Sequence, residues 1–534
     1  MSNNKNIATA LGYHDATKHS YSSVRFNPHS LDFDNQPLPF KIYPELDLLQ
    51  MPAEVRQTGI AALSAISSSV VPTTAVPDLK AIAQLLFLSA GITRQRKYPG
   101  GEIYFRAAAC TGALYEIELY LVCGDLPDLP AGVYHFAPAE FGLRRLRARD
   151  YRGLLVEATA AEPTVAHAPL TIVCTATYWR NAWKYQARTY RHFGWDNGTL
   201  LANLLAVATA LGLPAKVVCG FVDATVNRLL DLDSEREVAF TLVPIGYQAS
   251  VQSHNRFETT DVLALGFETV PLSSKEIDYP LMREIHAASS LDSPAEVAEW
   301  RENSALALRE ISGNSFGRGG AISAAPLERF RIPLQPLSDE EMPRDPIEQV
   351  ILRRGSSRRF ARTAISFAQL STMLDRATRG VSADFLKSEQ DSRIPHLNDL
   401  YLIVHAVEGL EPGAYFFNRD ESILECLKRG DFRDQAGYLG LEQQLPADSA
   451  VDIFFLADLN PILNHLGNRG YRAVQLEAGI TGGRLYLAAY AQRLGATGLT
   501  FYDDDVIRFF SPHSSGKDAI FLVAVGHSAK RQTV

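Results

Sequence analysis

VYHFAPAEFGLRRLRARDYR (133–152) and AYFFNRDESILECLKRGDFR (414–433) decide how this chain is to be read. Set 281 residues apart, they match Tyr134 with Tyr415, Phe136 with Phe417, Leu143 with Leu424, Leu146 with Leu427, Asp150 with Asp431 and Arg152 with Arg433. The same offset lays RTYRHFGWDNG (188–198) over RGYRAVQLEAG (469–479). A fixed offset held over such a span is not a chance alignment. Solenoid units are only about 20–50 residues long. The chain therefore reads as two related domains in tandem, a pair that can imitate a homodimer while each half specialises.

Composition sets the outer bounds. With 534 residues, 46% hydrophobic and 21% charged, the chain can bury a substantial core. A net charge of −8 gives no support to nucleic-acid or anionic-membrane binding, which call for a basic surface. No run of about 18 apolar residues marks a membrane span, and the first twenty residues lack the apolar centre of a signal peptide. Cys110, Cys123, Cys174, Cys219 and Cys426 are scattered without CxxC spacing. That argues for a reducing compartment, hence the cytoplasm, and against a disulfide frame or a metal site.

Four segments follow. Residues 1–54 form a polar, aromatic arm expected to lie on another part of the chain. The first domain is placed at 55–251, a connector at 252–344 and the second domain at 345–534. Apolar spacing in AVPDLKAIAQLLFLSAGI predicts a helix from about Pro77. YEIELYLVC (115–123), LTIVCTAT (170–177) and AFTLVPIG (239–246) read as strands, and NGTLLANLLAVATALGL (197–213) as a central or interfacial helix closed by Gly212. The order is α+β and not a strict βαβ alternation. In the connector, SPAEVAEWRENSALALREI (293–311) reads as a helix opened by Ser293 and Pro294, followed by a Gly/Ser-rich loop (312–326) expected to be mobile or to lie over a site.

The sharpest local feature is RRGSSRRF (353–360), just before the helix pattern ISFAQLSTMLDRAT. Arginine forks, serine hydroxyls and nearby backbone N–H groups make a phosphate cradle. A solvated basic turn is the other reading that spacing allows. Arg354, Ser356 and Arg358, followed by an aromatic and a helix, resemble the phosphate-binding signature of the FMN-dependent nitroreductase superfamily. RAAACTGALYEIELYLV (106–122) and WKYQARTYRHFGWDNGTLLANLLAVATALGL (183–213) resemble segments of its SagB/ThcOx branch, the azoline oxidases. The arm and GLTFYDDDV (498–506) look like the start and the late segment of such proteins.

The resemblance implies two tandem nitroreductase-like domains, each a mixed or antiparallel sheet flanked by helices, forming an intramolecular pseudo-dimer. It implies FMN at the interface of the halves, and a small-molecule or modified-peptide substrate. It leaves room for a homodimer of the fused pair. Cofactor contacts would come from Arg354, Ser356 and Arg358, from Cys110, Thr111, Gly112, Ala113 and Tyr115, from Gly498 and Leu499, and from Lys530 and Arg531 near the C-terminus. The losses are complementary. The first repeat's counterpart of the arginine motif, AISSSVV (65–71), has no arginine, and the offset sets Ser392 and Arg393 against Thr111 and Gly112. One competent site per chain is therefore expected.

Lys184 and Tyr185 occur in the first repeat only, against His465 and Leu466. The resemblance assigns this pair to catalysis, as the group removing a proton while the flavin takes a hydride. A surface lysine and a packed tyrosine are the plain alternative. Being adjacent, the two would leave a helix on different faces. Tyr190–Arg191 and Tyr471–Arg472 stand in both repeats and so suggest a structural role. Asp196 and Glu477 sit where the central helix is expected to begin, a stabilising place for a carboxylate. Cys110 would be either a thiol beside the flavin or a small packing residue. Two further functions fit the same residues: an NAD(P)H-dependent nitro or quinone reductase, and a flavin-free scaffold that assists a partner enzyme.

Overall fold

The computed structural model describes residues 3–26, 29–98, 101–249, 262–317, 330–386 and 395–529. Each repeat is built on an antiparallel sheet. In the first, the strands run in the order Leu48–Gln50, Gly142–Ala148, Gly132–Ala137, Ile117–Cys123, Leu170–Thr177 and Glu237–Ile245. In the second, the order is Gly495–Leu499, Asp518–Gly526, Val451–Ala457, Asp399–Val404, Gly413–Asn418, Ile423–Arg429 and Arg331–Pro333. The 281-residue offset carries strand 132–137 onto 413–418, 142–148 onto 423–429 and 237–245 onto 518–526. It even carries over the sheet irregularities, from Val133/Tyr134 to Ala414/Tyr415 and from Cys174/Thr175 to Phe455/Leu456. The fold is α+β, two similar halves in tandem, with an apolar core running through both.

Two sequence expectations need correction. The strand expected from Tyr115 starts at Ile117, because Tyr115 has φ 55°, a left-handed conformation no strand can contain. The central helix expected from Asn197 starts at Thr189 and ends at Ala210. Gly194 and Gly198 read locally as helix breakers, each costing about 1 kcal/mol relative to alanine. Their use lies in packing. The second central helix, Arg469–Ala491, crosses the first at these glycines. A Cβ on Gly198 would lie 2.5 Å from the Gly479 backbone, and one on Gly479 would lie 2.6 Å from the Gly194 carbonyl. Gly198 and Gly479 are equivalent under the offset, so the local two-fold axis relating the repeats passes between them. The connector helix likewise outruns its expected end, covering Pro294–Gly317; the remainder of the expected Gly/Ser loop lies outside the described residues.

Around that axis the repeats clamp each other reciprocally. Arg188, just before the first central helix, and Arg191 within it pair with Asp503 of the second repeat at 3.1 and 2.6 Å. Arg469 and Arg472 of the second pair with Asp223 of the first repeat at 2.5 and 2.8 Å. All six groups are buried. Tyr190 and Tyr471, beside these arginines, meet Tyr13 edge to face. The arm crosses the axis here: Arg191 donates to the His14 carbonyl at 2.6 Å, the Asp503 carboxylate accepts from the His19 N–H at 2.8 Å, and Asn468 Oδ1 accepts from Ala10 N–H at 3.0 Å. The paired Tyr–Arg residues thus carry the structural role that their presence in both repeats suggested.

Gly198→Val should lower stability by at least the roughly 1–3 kcal/mol of overpacking, because the clash is with backbone that cannot yield. Gly12→Ala, in a helix with open space around it, should be neutral or stabilising by up to about 1 kcal/mol. Thermal unfolding of both variants checks the pair. The clamps give a pH prediction. Burial by itself would raise the Asp503 and Asp223 carboxyls, but the arginines beside each outweigh it and hold them below the usual range. The folded state then binds fewer protons than the unfolded chain. The stabilisation is complete above the unfolded value of about 3.9 and is lost as pH falls toward the lowered folded values. Asp503→Asn should cost about 3–5 kcal/mol at pH 7 and should reduce the acid sensitivity of the denaturant midpoint.

Candidate active site

The segment 106–115 turns sharply where strand Ile117–Cys123 begins. Gly112, Ala113 and Tyr115 all have positive φ (63°, 56° and 55°). Non-glycine residues in this region cost of order 1–3 kcal/mol each, so the turn must be held from outside. Asp196 holds it, accepting from the Thr111 N–H at 2.8 Å and the Thr111 hydroxyl at 2.9 Å. Arg180 donates to the Tyr115 carbonyl at 2.8 Å, and the Tyr115 hydroxyl accepts from Arg106 N–H at 3.0 Å. Asp196 therefore lies well inside the central helix and reaches sideways to the turn, and it is not a helix-start carboxylate. Cys110 Sγ sits 3.4 Å from Asp196 and 3.5 Å from Glu116.

Lys184 and Tyr185 end the helix Tyr178–Tyr185, which stops because Gln186 turns left-handed (φ 50°); its counterpart in the second repeat is Gly467 (φ 61°). Tyr185 lies on the turn: a Cβ on Gly112 would be 2.9 Å from its hydroxyl. Lys184 Nζ sits 5.3 Å from the centre of the Tyr185 ring. Although adjacent in sequence, the two side chains meet. Burial lowers the Lys184 pKa, and the Arg358 guanidinium lowers it further. Burial raises the Tyr185 phenol, with Asp196, Cys110 and Glu116 adding and Arg358 opposing.

The arginine motif of the second repeat arrives from the other side. Arg354 Nε donates to the Ala107 carbonyl at 2.9 Å and Nη2 to the Arg106 carbonyl at 3.3 Å, so it grips the first repeat's turn segment. Ser356 Oγ lies 3.4 Å from the Tyr486 hydroxyl, which also accepts from the Gly498 N–H. One tyrosine of the second central helix therefore joins the motif to strand Gly495–Leu499. The stretch after the motif pairs with the chain's end: Ala361 N–H donates to His527 and Ala529 N–H to Arg359. Arg353 is turned away, onto Asp345 at 2.7 Å. Lys530 and Arg531 lie outside the described residues.

The structure thus brings together Arg354, Ser356, Arg358, Cys110, Thr111, Gly112, Ala113, Tyr115, Gly498, Lys184 and Tyr185 across the interface of the repeats, whereas Leu499 packs against an apolar cluster of the second repeat. Sequence reasoning missed Tyr486, Arg106, Glu116 and Thr500. The Thr500 hydroxyl is buried without a partner. Arg354 and Arg358 form no ion pair with a carboxylate among the described residues. Unbalanced guanidiniums, a buried unpaired hydroxyl and a tight small-residue turn fit the phosphate and the flat ring of FMN. The turn residues could have been found from their Gly-containing pattern; the others carry no local signal.

The place related to this site by the local two-fold is closed. There, the backbone N–H groups of Cys219 and Gly220 donate to the Asp384 carboxylate at 2.9 and 2.8 Å. Val217 pairs with Ala383, and a Cβ on Gly220 would lie 3.1 Å from the Trp300 ring. The second repeat and the connector helix fill it from within.

This is an architecture of two related α+β halves with a shared interface. The nitroreductase family model matches residues 78–247 and 351–527, one segment in each repeat and well over half of the chain. The chain belongs to the nitroreductase family. A crystal structure of a nitroreductase-family protein from Anabaena variabilis aligns over 98% of this chain and 99% of its own, with a TM-score of 0.74 and 25% identity. The Methanocaldococcus jannaschii nitroreductase-family protein MJ1384 is 26% identical over 168 residues, 32% of this chain and 80% of its own. The trifolitoxin-processing protein TfxB of Rhizobium leguminosarum bv. trifolii is 30% identical over 149 residues, and the microcin B17-processing protein McbC of Escherichia coli 27% over 154. These cover 27% and 28% of this chain, and 40% and 53% of the relatives.

Arg358→Gln should raise the Lys184 pKa without restoring its ordinary value, since burial is the larger cause. The pH dependence of Lys184 acetylation, read by peptide mass spectrometry, should shift to higher pH. An unshifted profile would show that Arg358 does not act on Lys184.

Proposed function

We propose that this chain is an FMN-dependent oxidoreductase with one composite flavin site per chain at the interface of the two repeats. Its substrate is a heterocyclic or peptide-derived compound, dehydrogenated in the azoline-to-azole sense. The observation that carries this reading is the meeting of carboxylate-free arginines from the second repeat with the small-residue turn and the Lys184–Tyr185 pair of the first. The resemblance to the azoline-oxidase branch, and the similarity to TfxB and McbC, support the substrate class. Closure of the related place by Asp384 and Trp300 supports a single site.

When bound, FMN supplies the hydride acceptor. Arg354, Arg358 and Ser356 hold its phosphate, each charge-assisted contact contributing about 1.5–3 kcal/mol; Lys530 and Arg531 are added on the resemblance alone. Gly112 and Ala113 would let backbone approach the ring, Cys110, Thr111 and Tyr115 would fix the turn, and Gly498 and Leu499 are added as contacts on the resemblance. Lys184, with its lowered pKa, takes the proton from the substrate carbon next to the one that is oxidised. Tyr185 stays protonated and positions Lys184 against the turn.

A nitro or quinone reductase fed by NAD(P)H is the second reading, favoured by the full-length likeness to the Anabaena protein. The five cysteines are free, which fits the proposed cytoplasmic setting, and no helix among the described residues is long and apolar enough to cross a membrane. Because the two repeats supply both sides of the site, a homodimer is not needed to complete it.

Flavin released from the purified chain, and from Arg354→Ala/Arg358→Ala, tests the proposal. One FMN per chain, lost in the double variant, is expected. Two per chain would sink the single site, and none after adding FMN would leave the scaffold reading. Anaerobic bleaching by NADH or NADPH would favour the reductase.

A further inference from the structure

Beneath the turn lies a buried group of two carboxyls and a thiol. Cys110 Sγ, a Glu116 oxygen and an Asp196 oxygen all lie within 4.8 Å of one another. Glu116 is fully buried and Asp196 is 6% exposed. Glu116 Oε1 has no partner, nor has the Nδ2 of Asn181 on the helix behind it. The groups facing the pair are Cys110, Thr111 and Tyr115 from the turn and Asn181 and Tyr185 from the helix Tyr178–Tyr185. None of them is a cation. No arginine or lysine forms an ion pair with the two carboxyls among the described residues; Arg180 is spent on Glu118.

The second repeat makes the contrast. There the place of Glu116 is taken by Leu397, and the counterpart of Asp196, Glu477, has Arg419 at 3.9 Å. Among the described residues, this carboxyl pair without an ion-pair partner has no counterpart at the equivalent place of the second repeat. Two carboxylates this close, out of water and without a cation, cannot both ionise at neutral pH. Burial lifts Glu116, and burial together with Glu116 lifts Asp196 strongly.

We propose that Glu116 and Asp196 share one proton across Cys110, as a positioning pair that limits negative charge under the 110–113 turn where the flavin ring is to lie. The purpose rests on the FMN reading; the shared proton does not. With only one negative charge in the pair, Asp196 can accept from Thr111 and fix the turn without setting a second charge against an electron-accepting ring.

Infrared difference spectra of the flavin-free protein at pH 8 test the proton. A carboxylic-acid carbonyl band that shifts in deuterium oxide is expected in the wild type and should vanish in both Glu116→Gln and Asp196→Asn. Cys110→Ser should keep it. Other buried acids, such as Asp384 and Asp452, cancel in the difference. Where one of the two variants does not fold, the difference spectrum of the other decides the point. No such band, or a band that neither variant removes, overturns the shared proton. A cadmium–thiolate absorption at Cys110 with release of protons would also overturn it, making the cluster a metal site. In the flavin-loaded protein, FMN affinity should fall by up to about tenfold per pH unit once the pair loses its proton, while Glu116→Gln/Asp196→Asn stays flat. A pH-independent wild type would overturn the positioning role. If FMN does not bind at all, the FMN reading fails and the infrared result is untouched.

Discussion

At Gly198 and Gly479 the backbones of the two central helices touch, and the arrangement of everything else depends on that contact. With any side chain there the helices would separate, and the arginines at 188, 191, 469 and 472 would lose their partners in the opposite repeat. A glycine inside a helix is unfavourable on its own. Here it is compensated by close packing and by buried ion pairs that form only when the helices are this near. The arm lies over the same crossing and satisfies the polar groups left beside it.

On the proposed reading, the chain builds one place for chemistry from this two-fold frame and fills its twin. On one side the first repeat contributes a strained turn and a lysine–tyrosine pair, and the second contributes arginines without counter-charges. On the other side no arginine is present at 65–71, and Asp384 takes the backbone N–H groups of Cys219 and Gly220. Fusion makes this possible. In a true homodimer any change would be applied to both sites; in one chain each half can lose what its neighbour supplies.

Charge is distributed accordingly. At the helix crossing every buried arginine has an aspartate, and those carboxyls are held ionised. At the site the arginines lack carboxylates while two carboxyls lack cations. The first pattern holds a fold together, and the second leaves protonation states open to a ligand.

Much of this was legible in the sequence. The repeat, its 281-residue offset, the α+β class and the arginine segment follow from spacing and residue type, because strands and caps are local; the turn segment came through the family resemblance. The central helix was read too short, since Gly194 and Gly198 oppose helix locally and only contact with a second helix explains them. The strand was begun too early, since nothing at Tyr115 announces a left-handed backbone. Asp196 looked like a helix-start carboxylate, and its partner Glu116, like Tyr486 and Thr500, had no mark at all. Sequence alone determined that two related halves exist and which residues each has kept. Which halves face each other, and which carboxyls meet without a cation, only the tertiary structure decided, because burial and distance between residues far apart in the chain belong to the folded state alone.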